Sequence, residues 1–156
     1  MLVSRKKLIG WIPSLIWMGI IFMFSSQPAS QSNDLSTGFT KFVFEMLGKV
    51  LPFNVEISTI NDFAVRFNHI ARKSAHFCIY LILGLLVSGA LTKNKYKGKL
   101  MLVSLIICAL YAAGDEFHQS FVPGRGCQLK DVFIDSAGAY TGILFNKVLR
   151  SVIKST

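Results

Sequence analysis

Polar side chains with chemical capacity crowd two short stretches of a chain that is otherwise apolar. The first reads Tyr111-Ala112-Ala113-Gly114-Asp115-Glu116-Phe117-His118-Gln119-Ser120-Phe121-Val122-Pro123-Gly124-Arg125, and the second carries Asp131 and Asp135. On a helix Asp115, His118 and Gln119 stand three or four apart and share a face, while Glu116 points about 100° away. Pro123 and Gly124 mark a turn after that helix, with Pro setting φ for the first central position. Asp131 and Asp135 lie one turn apart, and Gly138 and Gly142 continue the same stripe. A second set of groups complements these acids: His69, Arg72, Lys73, His76 and Tyr80, of which Arg72, His76 and Tyr80 form a strict i, i+4 row. Two chemistries fit such a set. Arg72, Lys73 and Arg125 suit an anionic group, the arginines through their bidentate fork. Asp115, Glu116, His76 and Asp131 suit acid–base work, which needs titratable groups whose environments separate their pKa values.

Two plainer readings stand beside these. The bases Arg72, Lys73, Arg125 and Lys130 match the acids Asp115, Glu116, Asp131 and Asp135 in number, so a self-neutralising network could hold helices together. Metal binding has suitable ligand types in His69, His76, His118, Asp115, Glu116 and Asp131. No His-Glu-x-x-His motif and no Cys pair fixes a metal, however, so no residue is assigned as a ligand and no cofactor is called for. A phosphate-binding Gly-rich loop and a Gly-x-Ser-x-Gly elbow are both missing from the sequence.

The elements that must position these groups are apolar runs. The chain has 156 residues, 52% of them hydrophobic and only 16% charged, with a mean hydropathy of +0.49, which excludes an ordinary soluble domain of this size. Uncharged or nearly uncharged stretches cover Leu8 to Phe24, Cys78 to Leu91, Leu100 to Gly114 and Val132 to Asn146. At 1.5 Å per residue the first spans about 26 Å of a hydrocarbon core of about 30 Å, and the others reach that depth through their polar flanks. Lipid offers the backbone no hydrogen-bond partner, so the segments are read as transmembrane helices near 7–25, 70–92, 99–119 and 130–150. The reading is therefore an all-α, four-span membrane protein forming a single domain over 1–156.

Charge placement orients it. Seventeen Lys plus Arg against eight Asp plus Glu give a net charge of +9. With both termini cytoplasmic, the inner side holds Arg5, Lys6, Lys7, Lys93, Lys95, Lys97, Lys99, Lys147, Arg150 and Lys154 with no acid, and all eight acids fall on the outer side. Positive-inside orientation and anionic headgroups account for the excess charge, leaving no role for nucleic acid. The first run is too long, and Ser25-Ser26-Gln27-Pro28-Ala29-Ser30 too poor a cleavage site, for a signal peptide. In the long outer connection Leu35, Phe39, Phe42, Val43, Met46, Leu47 and Val50 recur at helical spacing, which predicts an amphipathic helix near 35–51, on the interface or as a lid over the bundle. Cys78 and Cys108 fall within spans as packing residues, Cys127 falls in the second outer loop, and no disulfide framework is expected. Charged groups one turn inside a bilayer are costly, and their presence marks a functional site by default.

Phe24-Ser25-Ser26-Gln27, Arg72-Lys73-x-x-His76-Phe77-x-x-Tyr80-x-x-x-Gly84, Tyr111-x-x-x-Asp115-Glu116-x-His118-Gln119-x-Phe121-Val122-Pro123-Gly124-Arg125 and Asp131-x-x-x-Asp135-x-x-Gly138 together resemble the VanZ family of bacterial membrane proteins. That family is named for a member encoded with glycopeptide-resistance genes and linked to teicoplanin resistance. The resemblance covers nearly the whole chain. It implies a multi-pass protein of the bacterial cytoplasmic membrane, with the bilayer and a lipid-linked envelope substrate or a lipoglycopeptide as partners. It adds Ser25, Ser26 and Gln27 to a ligand-binding set of Arg72, Lys73, Tyr80, His118, Gln119, Arg125 and Asp135. It supplies no reaction, so an enzyme acting on an anionic headgroup and a non-catalytic binder both stay open.

Overall fold

The computed structural model describes residues 9–30, 38, 42, 46, 57–93 and 99–155, and every regular element among them is helical. Four helices are delimited among the described residues: α1 (Ile12–Ser25), α2 (Ile57–Lys93), α3 (Leu100–Gln119) and α4 (Leu129–Ser155). Pro13 sits in the first turn of α1, where its missing N–H costs nothing. The 14-residue α1 is thus shorter than the run from 7 to 25 expected from hydropathy, and the bases Arg5, Lys6 and Lys7 lie outside the described residues. Most of the expected amphipathic segment 35–51 also lies outside them, apart from Gly38, Phe42 and Met46, which are helical.

Helix α2 corrects a second boundary. It begins at Ile57 rather than near 70 and runs 37 residues, because nothing between Pro52 and Gly84 breaks the helical backbone. Helix α4 likewise continues to Ser155, past the expected end at 150. The segment Arg72–Lys93 and helix α3 are long and apolar enough to cross a membrane. Helix α1 is apolar but short, and α4 carries charges at both ends.

Packing centres on α2. Tyr80, Leu83, Val87 and Leu91 recur at three- and four-residue intervals along one face and are buried against Ile21 of α1, Cys108 and Ala112 of α3, and Ala139 of α4. Helices α2 and α4 run parallel. Lys73 bonds Asp131, Asn146 bonds Ser88, and Arg150 bonds Thr92, each pair separated by 58 residues in sequence. A constant offset means that the register does not slip over the 19 residues from Lys73 to Thr92, about 28 Å of helix.

Three glycines set how closely the two axes approach. A Cβ at Gly84 would overlap the Ala139 carbonyl, one at Gly138 the Phe77 carbonyl, and one at Gly142 the Leu81 carbonyl, all closer than 3.0 Å. Small residues on both sides let backbone meet backbone, which is how helices associate where hydrophobic burial offers no drive. The sequence expectation that Gly138 and Gly142 permit close approach holds, with Gly84 contributing from the facing helix.

Helix α3 closes the bundle with another small-residue face. Ser104, Cys108 and Ala112 are buried at four-residue spacing, and the same side of the helix continues into buried Asp115, Glu116 and Gln119. Cys127 is exposed and Cys108 buried, whereas Cys78 is exposed on the outside of α2 and is not the packing residue expected.

Candidate functional site

The polar groups gather at the end of the bundle where α1 and α3 finish and α4 starts. Four features of the chain build that end. After α3, successive N–H groups of Ser120, Phe121 and Val122 donate to carbonyls three residues back, tightening the last turn. Val122 to Arg125 then form a turn in which the Arg125 N–H donates to the Val122 carbonyl at 3.1 Å. Pro123 at its second position and Gly124 at its third, with φ +75, are the residues a type II turn demands. The Ala29 N–H donates to the Pro123 carbonyl at 3.3 Å, so the segment after α1 rests on this turn. Ser25, Gln27 and Arg125 are thereby carried to one place.

Two aromatic tips fix α1 against the other helices. Trp17 Nε1 donates to the Ile79 carbonyl at 2.9 Å, and the Tyr111 hydroxyl donates to the Met18 carbonyl at 2.6 Å. A buried indole or phenol needs a partner for its polar end. Sequence spacing assigns no role to Tyr111 or Trp17; a lone hydrogen-bonding tip in an apolar helix is the signal that marks each.

Between these elements lies a cavity of about 260 Å³. Ile21, Phe24 and Ile79 form its apolar wall, and Ser25, Gln27, Arg72, His76, Tyr80, Asp115 and Arg125 its polar lining. Its electrostatics are unbalanced. Two guanidinium groups face one carboxylate, and among the described residues neither Arg72 nor Arg125 has an ion-pair partner. The Nε of Arg125 is buried with no hydrogen-bond acceptor. Burial, and then the neighbouring Arg72 charge, lower the Arg125 pKa from its usual value, although Asp115 and Glu116 oppose the shift. The Ser25 hydroxyl is buried without a partner as well. An incoming anion would satisfy these groups.

The carboxylates divide into four environments. Asp115, 4% exposed, accepts from the Tyr80 hydroxyl at 3.4 Å and from Gln119 Nε2 at 3.3 Å through one oxygen, leaving Oδ1 unbonded. Glu116, 1% exposed, is not part of the cavity lining and accepts the Gln128 N–H at 2.9 Å, placing its charge at the start of α4. A negative charge there complements the helix dipole. Asp131 pairs with Lys73 at 3.0 Å. Asp135 is fully buried, meets His76 Nδ1 at 3.5 Å, and has both oxygens outside hydrogen-bond geometry.

Of the residues singled out from sequence, Ser25, Gln27, Arg72, His76, Tyr80, Asp115 and Arg125 share the cavity. Gln119 touches it through Asp115, and Asp135 lies behind His76. Lys73 reaches α4 and Asp131, because the glycine seam brings α2 closest to α4. Ser26 turns away: its hydroxyl is exposed and donates to the Phe22 carbonyl at 2.7 Å, one residue beyond Ser25 being a rotation of about 100°. His118 stacks on Phe22 with centroids 4.4 Å apart and its Nδ1 is buried unbonded. The side chain of His69 is outside the described residues. No group of three His, Cys, Asp or Glu side chains converges among the described residues in a way that could hold a metal ion.

A protein-family profile described as VanZ/LLP1 matches residues 10–150, most of the chain. Comparison with curated proteins and with solved structures yields no match.

Proposed function

The chain belongs to the VanZ/LLP1 family, and we propose that it is a bacterial envelope membrane protein whose cavity binds an amphiphilic anion at the outer leaflet. The observation that carries this reading is the pairing of Arg72 and Arg125 around one cavity beside an apolar wall. Phosphate or carboxylate takes the guanidinium groups, and Ile21, Phe24 and Ile79 take the start of a hydrocarbon tail. A lipid-linked envelope precursor and the acylated glycopeptide teicoplanin both have this chemistry, and the family name carries an association with teicoplanin resistance.

Four helices crossing the cytoplasmic membrane, with both termini inside, form the proposed topology. Support comes from the polar layers on the parallel α2–α4 pair, Lys73 with Asp131 and Thr92 with Arg150, whose separation of about 28 Å is close to a hydrocarbon core of about 30 Å. Large apolar side chains exposed on every helix, among them Leu15, Ile16, Met23, Leu110, Phe133 and Phe145, would then face lipid. In that proposed topology the cavity lies just inside the outer boundary.

His76 with Asp135, and Asp115 on the cavity wall, are the groups placed to move a proton to or from a bound headgroup. A specific observation favours a second reading, binding without catalysis. Glu116 and Asp131 are engaged by Gln128 and Lys73, so two of the four acid–base candidates serve to seat α4. Native mass spectrometry of the purified chain with phosphatidylglycerol tests the binding reading. An Arg72→Gln, Arg125→Gln double variant should lose the anionic adduct at this cavity by about tenfold or more in affinity, the loss of one or two charge-assisted contacts. Undiminished binding would refute the cavity as the anion site.

A further inference from the structure

The opposite end of the bundle carries a second crevice, of about 380 Å³, between the start of α3 and the last turns of α4. Leu100, Met101 and Ile143 form its floor, and Lys147, Arg150 and Ser151 line its rim with Asn146. Charge there is of one sign. The sequence has no Asp or Glu between Asp62 and Asp115 and none after Asp135, so no acid of α3's first half or α4's second half balances these bases. Lys99, exposed at the head of α3, adds to them.

Two features prepare the crevice for an anion. Arg150 Nη1 donates to Thr92 Oγ1 at 2.5 Å, which anchors the guanidinium and, among the described residues, leaves most of its five donors free. Lys147 is exposed, lines the crevice one turn before Arg150, and makes no ion pair among the described residues. The first turn of α3, whose backbone N–H groups receive no side-chain cap from Lys99, forms the facing wall through Leu100 and Met101. The positive end of the α3 dipole reinforces the two bases.

We propose that this crevice is a phosphate-binding site, held by Lys147 and Arg150 against the first turn of α3. The phosphate is carried by an anionic phospholipid headgroup or free in solution; the recognition chemistry is the same. The site is separate from the Arg72–Arg125 cavity and stands or falls without it.

Acetylation of lysine amines on the purified full chain, read by peptide mass spectrometry at fixed ionic strength, tests it locally. Lys147 reports on the crevice, and exposed Lys130 at the opposite end of α4 is the internal control. Inorganic phosphate, phosphatidylglycerol bicelles and phosphatidylcholine bicelles are the probes. At ligand levels about ten times Kd, Lys147 labelling should slow about tenfold while Lys130 is unchanged. Protection by inorganic phosphate identifies free phosphate as sufficient, and protection by phosphatidylglycerol alone identifies the headgroup; either supports the site. Arg150→Gln should abolish the protection, whereas Thr92→Val, which removes the same hydrogen bond and keeps the guanidinium, should retain it. Lys147 slowing no more than Lys130, equal protection by phosphatidylcholine, or protection surviving Arg150→Gln would overturn the proposal.

Discussion

The two ends of the α2–α4 pair are built on one register and finished differently. Away from the cavity, Asn146 donates to Ser88 at 2.8 Å and Arg150 to Thr92 at 2.5 Å, so each interhelical polar group meets a partner. At the cavity end the same offset joins Lys73 to Asp131, but one turn further in Asp135 keeps both oxygens unbonded, and Asp115 and Glu116 each keep one. Helix association alone explains the first pattern. Leaving buried carboxylate oxygens unsatisfied costs stability, and packing needs no such cost. Unmet carboxylate polarity thus distinguishes the cavity end from the opposite end, where Asn146 and Arg150 are paired across the helices.

The largest expected effect would break both ends together. Gly142→Val drives a side chain into the Leu81 carbonyl and should cost about 3 kcal/mol or more, seen as loss of monodisperse protein on size exclusion. Next comes the cavity itself. The double substitution at Arg72 and Arg125 should weaken anion binding at the cavity about tenfold or more while leaving thermal unfolding unchanged or raised, because two like charges that share a cavity are relieved.

Asp135→Asn sharpens the comparison most. Breaking a buried ion pair that holds a structure together costs about 3–5 kcal/mol. With neither oxygen bonded, Asp135 should instead cost under about 1 kcal/mol when neutralised, as measured by unfolding in detergent, even as function is lost. A loss of about 3 kcal/mol would make the His76 contact a structural bridge. The smallest effect belongs to the other end: Asn146→Leu should cost about 0.6 kcal/mol, the typical worth of one interhelical hydrogen bond, and leave activity intact.

Much of this division could be read from residue types and spacing. The separation of Asp115 from Glu116 by one helical step, the row Arg72, His76 and Tyr80, and the Gly138–Gly142 stripe each follow from the 100° rotation per residue. Partner choice could not be read that way. A short connection from Lys93 to Lys99 makes α2 and α3 sequence neighbours, yet Lys73 and His76 meet α4, because interhelical distance is decided by the glycines and the rotation of α2 about its axis. Ser26 shows the same limit at a helix end, where one residue separates a cavity hydroxyl from one that caps its own helix. The seating of α4 by Glu116 depends on a backbone N–H, which no side-chain pattern reveals.

The central claim is that the unsatisfied cavity end carries function. Its most direct test is teicoplanin susceptibility of a sensitive Gram-positive host expressing the wild-type chain, Arg72→Gln, Asp115→Asn or Asn146→Leu, with protein levels matched by immunoblot. The account predicts protection by the wild type and by Asn146→Leu, and its loss in Arg72→Gln and Asp115→Asn at equal abundance. Equal protection by all four chains, or none by the wild type, would contradict it.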